Sequence, residues 1–223
     1  MAGEELVLAD AQVTADLRTF VVRARSAADG AIRLQASGTV LAAWVCALRP
    51  RGLGEAGPTV LGLRTMPLAE PAEVDSTVEL SAVADRLARM AGGATSLSLP
   101  PVQVHETWAG ISPPRSGWEP AGTVPAAALT DAAAEGMRLV AEAVPQNPGA
   151  AVVDSARNAV WGRPLEGSPG PLPSGAAFAA VTLGFLPRPE QAGPAPVLRN
   201  GRWLRLSLPH GHVLVRQGAA FAF

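Results

Sequence analysis

The stretch Ala31–Leu68 constrains the fold more than any other part of the chain. In its first segment Ile32, Leu34 and Ala36 alternate with Arg33, Gln35 and Ser37, the period-two pattern of a strand with one wet face. Thr39–Leu48 is almost continuously apolar, which predicts a strand lying mid-sheet with both faces covered. Ser37-Gly38 between them predicts a tight hairpin turn. Thr59–Leu68 supplies a third antiparallel strand.

The rest of the first half fits round these strands. Asp10 is placed to cap a helix over Ala11–Ala27, with Val13, Leu17, Phe20, Val21 and Ala24 as its apolar stripe. After the third strand the sequence predicts a Pro/Glu-rich loop, Pro67–Glu73, and a short strand over Thr77–Leu80. Ser81 is placed to cap a helix carrying Val83, Leu87 and Met90, and Gly92-Gly93 stops it. Thr95–Leu99 and Val102–Trp108 read as two further strands, the second with Val102, Val104, Glu106 and Trp108 on one face. This order loosely resembles the repeating unit of sliding clamps, an outer helix over curved sheet, in topology alone. Clamps present a basic inner surface, which the arginine spacing does not show, so a clamp role is not carried forward.

The second half is richer in helix. Pro125–Val144 is Ala-rich, with Leu129, Ala133, Val140 and Val144 along one side. Gly136 weakens that helix by about 1 kcal/mol relative to alanine. Ala150–Trp161 is a second helix, ended by Gly162, and Ser174 is placed to cap a third over Gly175–Leu186. Strands over Pro196–Arg199 and Arg202–Leu208 meet at Asn200-Gly201, a hairpin signal, and His212–Gln217 returns. The fold class is therefore α+β. A composition shift divides a mostly antiparallel sheet domain with packed helices, residues 1–122, from a helical segment with terminal β-hairpins, residues 123–223.

Composition narrows function mainly by exclusion. The 18 basic and 19 acidic residues leave a net charge of -1, which argues against a dominant nucleic-acid footprint. All the basic residues are arginine, and lysine and tyrosine are absent, so Schiff-base lysines, a phosphate-loop lysine and tyrosine acids are excluded. Cys46, the only cysteine, lies in the most apolar strand and reads as a small core residue. The acidic start and the lack of a long apolar run predict a cytoplasmic protein with no membrane span.

Candidate chemistry is sparse. Gly52–Gly57 spells G-x-G-x-x-G, but Pro58 and strand residues follow, where a dinucleotide loop must open a helix; it reads as a flexible hairpin loop. His210 and His212 flank a glycine and could face one ion. The ligand count falls short of a zinc site, and no metal or cofactor is expected. Serine hydrolysis lacks a G-x-S-x-G elbow, leaving His105-Glu106 as an unsupported base and acid and an enzyme undecided. Three helices before a hairpin match a winged helix, with Arg199, Arg202 and Arg205 near phosphates, but the third helix is apolar almost all round.

The most distinctive loop is Gly110–Gly122, GISPPRSGWEPAG. Its prolines stiffen the chain, and Ser112, Arg115, Trp118 and Glu119 offer a recognition surface: Trp118 as apolar anchor, Arg115 as anion donor, Glu119 as acceptor. The expected function is a non-catalytic protein that binds a partner or small ligand there. A homodimer is expected from exposed hairpin edges and the apolar tail Ala219–Phe223. A hydrolase-type enzyme and a winged-helix DNA binder are the alternatives. The segments Trp108–Gly122, Ala159–Pro164 and Gly201–Arg216 resemble a group of actinobacterial proteins of no assigned function. That resemblance implies a host class and lends no functional residue.

Overall fold

The computed structural model describes residues 4–27, 30–50, 57–145 and 148–218. The Gly52–Gly57 loop (apart from Gly57) and the tail 219–223 lie outside them. The architecture is α+β with antiparallel strands. The chain divides into two compact units, Met1–Cys46 with Leu63–Ser112, and Ala47–Gly62 with Pro113–Phe223.

In unit 1, β1 (Glu5–Val7) pairs with β4 (Ser96–Ser98) and places Leu6 opposite Leu97. Helix α1 (Ala11–Ala27) begins where expected, because the Asp10 carboxylate accepts the Val13 N–H at 2.8 Å. Leu17, Phe20, Val21 and Ala24 are buried, but Val13 is only half-buried and Thr14 takes its place in the core. The Thr14 hydroxyl donates to the Ala94 carbonyl at 3.1 Å, which satisfies it there. Helix α2 (Leu80–Arg89) packs against α1 and buries Leu80, Val83 and Leu87. It starts one residue before Ser81 and has no side-chain cap, so the expected serine cap does not form.

The two strands that dominate the sequence are longer than their patterns suggest. β2 (Ala31–Leu48) is one continuous strand. Gly38 has φ of +55°, and the Glu73 carboxylate accepts its N–H at 3.0 Å and the Ser37 hydroxyl at 3.2 Å. A side chain of the neighbouring strand thus serves the groups that a turn would have used. β2 also ends the strand order instead of lying mid-sheet, although Leu41, Ala43 and Val45–Leu48 are buried. β3 (Thr59–Glu79) absorbs the expected third strand, the Pro67–Glu73 loop and the short strand after it. Pro67 and Pro71 fall at exposed positions, and Met66, Leu68, Val74, Ser76 and Val78 keep burial in period two. The Val102–Trp108 strand does not form. That segment makes a single bridge, Val78 with Gln103, while Val102 is 70% exposed and Trp108 is buried.

In unit 2 the strand order continues from β3 as β8-β7-β6-β5, namely Gly211–Arg216, Trp203–Leu208, Pro194–Asn200 and Glu119–Pro125. Leu204, Leu206, Val213 and Val215 are buried by this sheet. Asn200 pairs with Trp203, so the hairpin turn is Gly201-Arg202, with Gly201 at φ +54°. Helices α3 (Ala126–Ala143) and α4 (Ala150–Trp161) form as expected. α5 (Ser174–Thr182) is shorter than expected and takes no side-chain cap; the Ser174 hydroxyl donates instead to the Val160 carbonyl at 2.9 Å. α5 buries every residue from Gly175 to Ala180, as its apolar circumference requires. Trp161 stacks on Phe178 with centroids 4.5 Å apart.

Candidate functional site

The four residues proposed from the Gly110–Gly122 segment are divided between the two units. Ser112 ends unit 1, whereas Arg115, Trp118 and Glu119 belong to unit 2. Glu119 opens β5 and pairs in register with Arg199, so the loop is shorter than the sequence suggests.

What remains, residues 113–118, is a tightly fastened turn. The Trp118 indole N–H donates to the Pro114 carbonyl at 3.0 Å, closing the turn on itself. The Arg205 guanidinium lies 5.1 Å from the centre of the Trp118 ring, a cation–π arrangement. The Asn200 side-chain amide donates to the carbonyls of Ser116 and Gly117, both at 2.9 Å. Trp118 is half-buried, while Arg115 and Glu119 are exposed and make no side-chain hydrogen bond or ion pair among the described residues. Asn200 and Arg205 were not legible as parts of this site. Asn200 reads as a turn residue, and Arg205 reads as a phosphate contact until the register places it beside Trp118. Arg202 is also tied locally, donating to the Gln217 carbonyl at 2.7 Å.

Ser112 serves another network. Arg33 on β2 makes two hydrogen bonds of 2.6 Å to the Asp75 carboxylate on β3. Its remaining nitrogen donates to the Ala109 carbonyl at 2.6 Å and to the Ser112 hydroxyl at 3.2 Å. The bonds between Arg33 and Asp75 raise the guanidinium above its ordinary range and hold the carboxyl below its own, with burial opposing both shifts. All three Arg33 nitrogens are engaged, so this group joins two strands and the segment after them.

The histidines offer little catalytic geometry. His105 is exposed and has no hydrogen bond to a serine or acid among the described residues. His212 is half-buried on β8, its Nδ1 has no hydrogen-bond partner among the described residues, and it pairs in register with Ser207. Burial pushes its imidazole below the ordinary range, helped by the Arg205 charge. Among the described residues, no group of three or more His, Cys, Asp or Glu is placed to hold a metal ion. Nor is any helix long and apolar enough to cross a membrane.

Charge is unevenly divided between the helices. α1 and α2 carry Arg18, Arg23, Arg25, Arg86 and Arg89 against Asp16 and Asp85. Asp16 is held by Arg64, and Asp85 lies 3.9 Å from Arg89. In unit 2, α3 and α4 carry Asp131, Glu135, Glu142 and Asp154 against Arg138 and Arg157.

Residues 1–110 match a domain of unknown function, DUF8010, and residues 113–220 match a second, DUF8185. No curated protein matches the chain. Among solved structures it resembles a putative DNA polymerase III beta subunit from Eubacterium rectale, with TM-score 0.53 and 7% identity, covering 98% of this chain and 66% of that one. A DNA polymerase sliding clamp from Caulobacter crescentus matches with TM-score 0.51 and 11% identity over the same shares. The Helicobacter pylori beta clamp in complex with carprofen gives TM-score 0.50 and 10% identity, covering 96% of this chain and 63% of that one. The chain thus spans just under two thirds of the length of these clamps. At such identities the likeness is one of fold. The topological resemblance noted from the order of elements holds at that level.

Proposed function

We propose that this chain is a non-catalytic, cytoplasmic binding protein of clamp-like fold that engages a protein partner through the turn at residues 113–119. The observation that carries this reading is the state of that turn. Trp118, Asn200 and Arg205 fasten it, while Arg115 and Glu119 project without partners among the described residues. A pre-ordered turn loses little entropy on binding, and an exposed arginine and glutamate offer directional contacts of both signs. A second copy of the chain is one candidate partner. Pairing through β5 would be a poor route to it, because Pro120 and Pro125 blunt that edge.

The test replaces Arg115 with a photo-crosslinking residue in the host cell. A discrete adduct is expected, absent when Glu119 is also changed to alanine and absent when Trp118→Ala loosens the turn. An adduct pattern indifferent to both changes would remove the turn from the binding surface. Sedimentation of the purified chain distinguishes a second copy from another protein.

A nucleic-acid reading is favoured by one specific observation, the excess of arginine on α1 and α2 in a fold that resembles sliding clamps. Its test is the salt dependence of duplex binding argued in the Discussion.

A further inference from the structure

Within unit 2, the end of β2, the residues just before β3 and the last turn of α4 wall a cleft of about 500 Å³. That volume lies in the range of small-molecule sites. Arg49 lines it from the β2 end and Arg163 from the α4 end. Asn158 adds an amide, Leu48, Pro50 and Pro58 add apolar wall, and no carboxylate lines the cleft among the described residues. We propose that this cleft binds a small organic oxyanion, a molecule whose phosphate or carboxylate group is gripped by Arg163 and Arg49 and whose apolar body lies against Leu48, Pro50 and Pro58.

Three features support this. The first is the pairing of guanidinium groups from positions far apart in sequence around one apolar-walled space. Arginine presents a planar fork that matches both oxyanions, and two arginines border one cleft whose described lining holds no carboxylate. The second is that the frame is built while the Arg163 side chain is uncommitted. The Arg163 N–H donates to the Val160 carbonyl at 3.3 Å, and its own carbonyl accepts the Ser174 N–H at 2.7 Å. Its guanidinium is exposed and makes no hydrogen bond or ion pair among the described residues. The third is a rigid floor. A Cβ at Gly175 would lie 3.0 Å from the Trp161 carbonyl and 3.1 Å from a Leu48 methyl, so glycine lets α5 close beneath the cleft.

The test uses the full chain with phenyl phosphate and benzoate as probes, followed by calorimetry and by thermal shift against sodium chloride of equal ionic strength. The two probes share a planar apolar body and differ in oxyanion, so they separate the phosphate and carboxylate sources. Saturable binding of at least one probe is expected. Arg163→Gln, at an exposed side chain, should weaken it about tenfold or more. Arg49→Lys, which keeps the charge but loses the fork, should weaken it less, and Arg115→Gln should leave it unchanged. No saturable binding of either probe up to about 10 mM overturns the proposal, as does binding that Arg163→Gln leaves intact.

Discussion

At Gly136 propensity and packing make opposite demands. In an exposed helix, Gly→Ala gains about 1 kcal/mol. Here a Cβ would overlap the six-membered ring of Trp161, which is buried and stacked on Phe178. Gly136→Ala is therefore expected to destabilise the protein by about 1–3 kcal/mol, the usual cost of overpacking, as read from urea unfolding; a stabilised variant would show that Trp161 can move aside. The sequence shows the glycine but not the indole 25 positions away that needs it. His212 is legible in the same partial way: its type is visible and its burial is not. Since its folded pKa is lowered, the unfolded chain binds the proton more readily. Its contribution is complete above the ordinary histidine range, about 6.5, and is lost as pH falls through the folded value. The midpoint of thermal unfolding should fall between pH 7.5 and 5, ranges set by the ordinary value of about 6.5, and His212→Leu should flatten that fall. An unchanged profile in the variant would assign the pH dependence to other groups.

At the scale of elements, local signals succeed where a helix face or cap stands alone and fail where a neighbouring strand decides. α1 and α4 are legible from periodicity and end signals, and their bounds match. β2 and β3 are not, because a glycine at positive φ and two prolines look like breaks until the paired strand is present to serve Gly38 and to leave Pro67 and Pro71 outward. The caps separate the same way. Asp10→Ala should cost about 1 kcal/mol, because its carboxylate holds the Val13 N–H, whereas Ser81→Ala should cost nothing measurable, because α2 has no side-chain cap. Equal losses for the two variants in chemical unfolding would contradict this assignment. Arg33→Ala removes the link between β2, β3 and the 109–112 segment and should cost about 2 kcal/mol, since it strips charged hydrogen bonds from a side chain only 14% exposed. Asp75 is half exposed, so Asp75→Asn should cost less. Its depressed carboxyl stabilises the fold fully above the ordinary aspartate value of about 3.9, and that share fades as pH falls through the folded value.

For the whole molecule, the net charge of -1 conceals a partition that the fold creates. α1 and α2 are 69 positions apart at their starts, edge to edge only after folding, and together they gather five arginines against two aspartates, while α3 and α4 gather four carboxylates against two arginines. Linear spacing could not reveal either grouping, which is why the clamp-like topology was legible while its charge pattern was not. If the α1/α2 face meets a phosphate backbone, affinity for a duplex must fall with salt, because each neutralised phosphate releases a counterion; log K should drop by about 0.9 per phosphate for each decade of salt. Replacing Arg23, Arg25 and Arg89 with alanine removes three exposed charges from the two helices. It should weaken duplex binding at low salt and reduce the slope by up to about 2.7, without changing unfolding, since none of the three is buried. Arg115→Ala with Glu119→Ala should leave the slope untouched, because those residues belong to the other unit. Should the triple variant bind a duplex as the parent does, or the parent not bind at all, the arginines of α1 and α2 serve solvation and the helix ends, and the nucleic-acid reading falls.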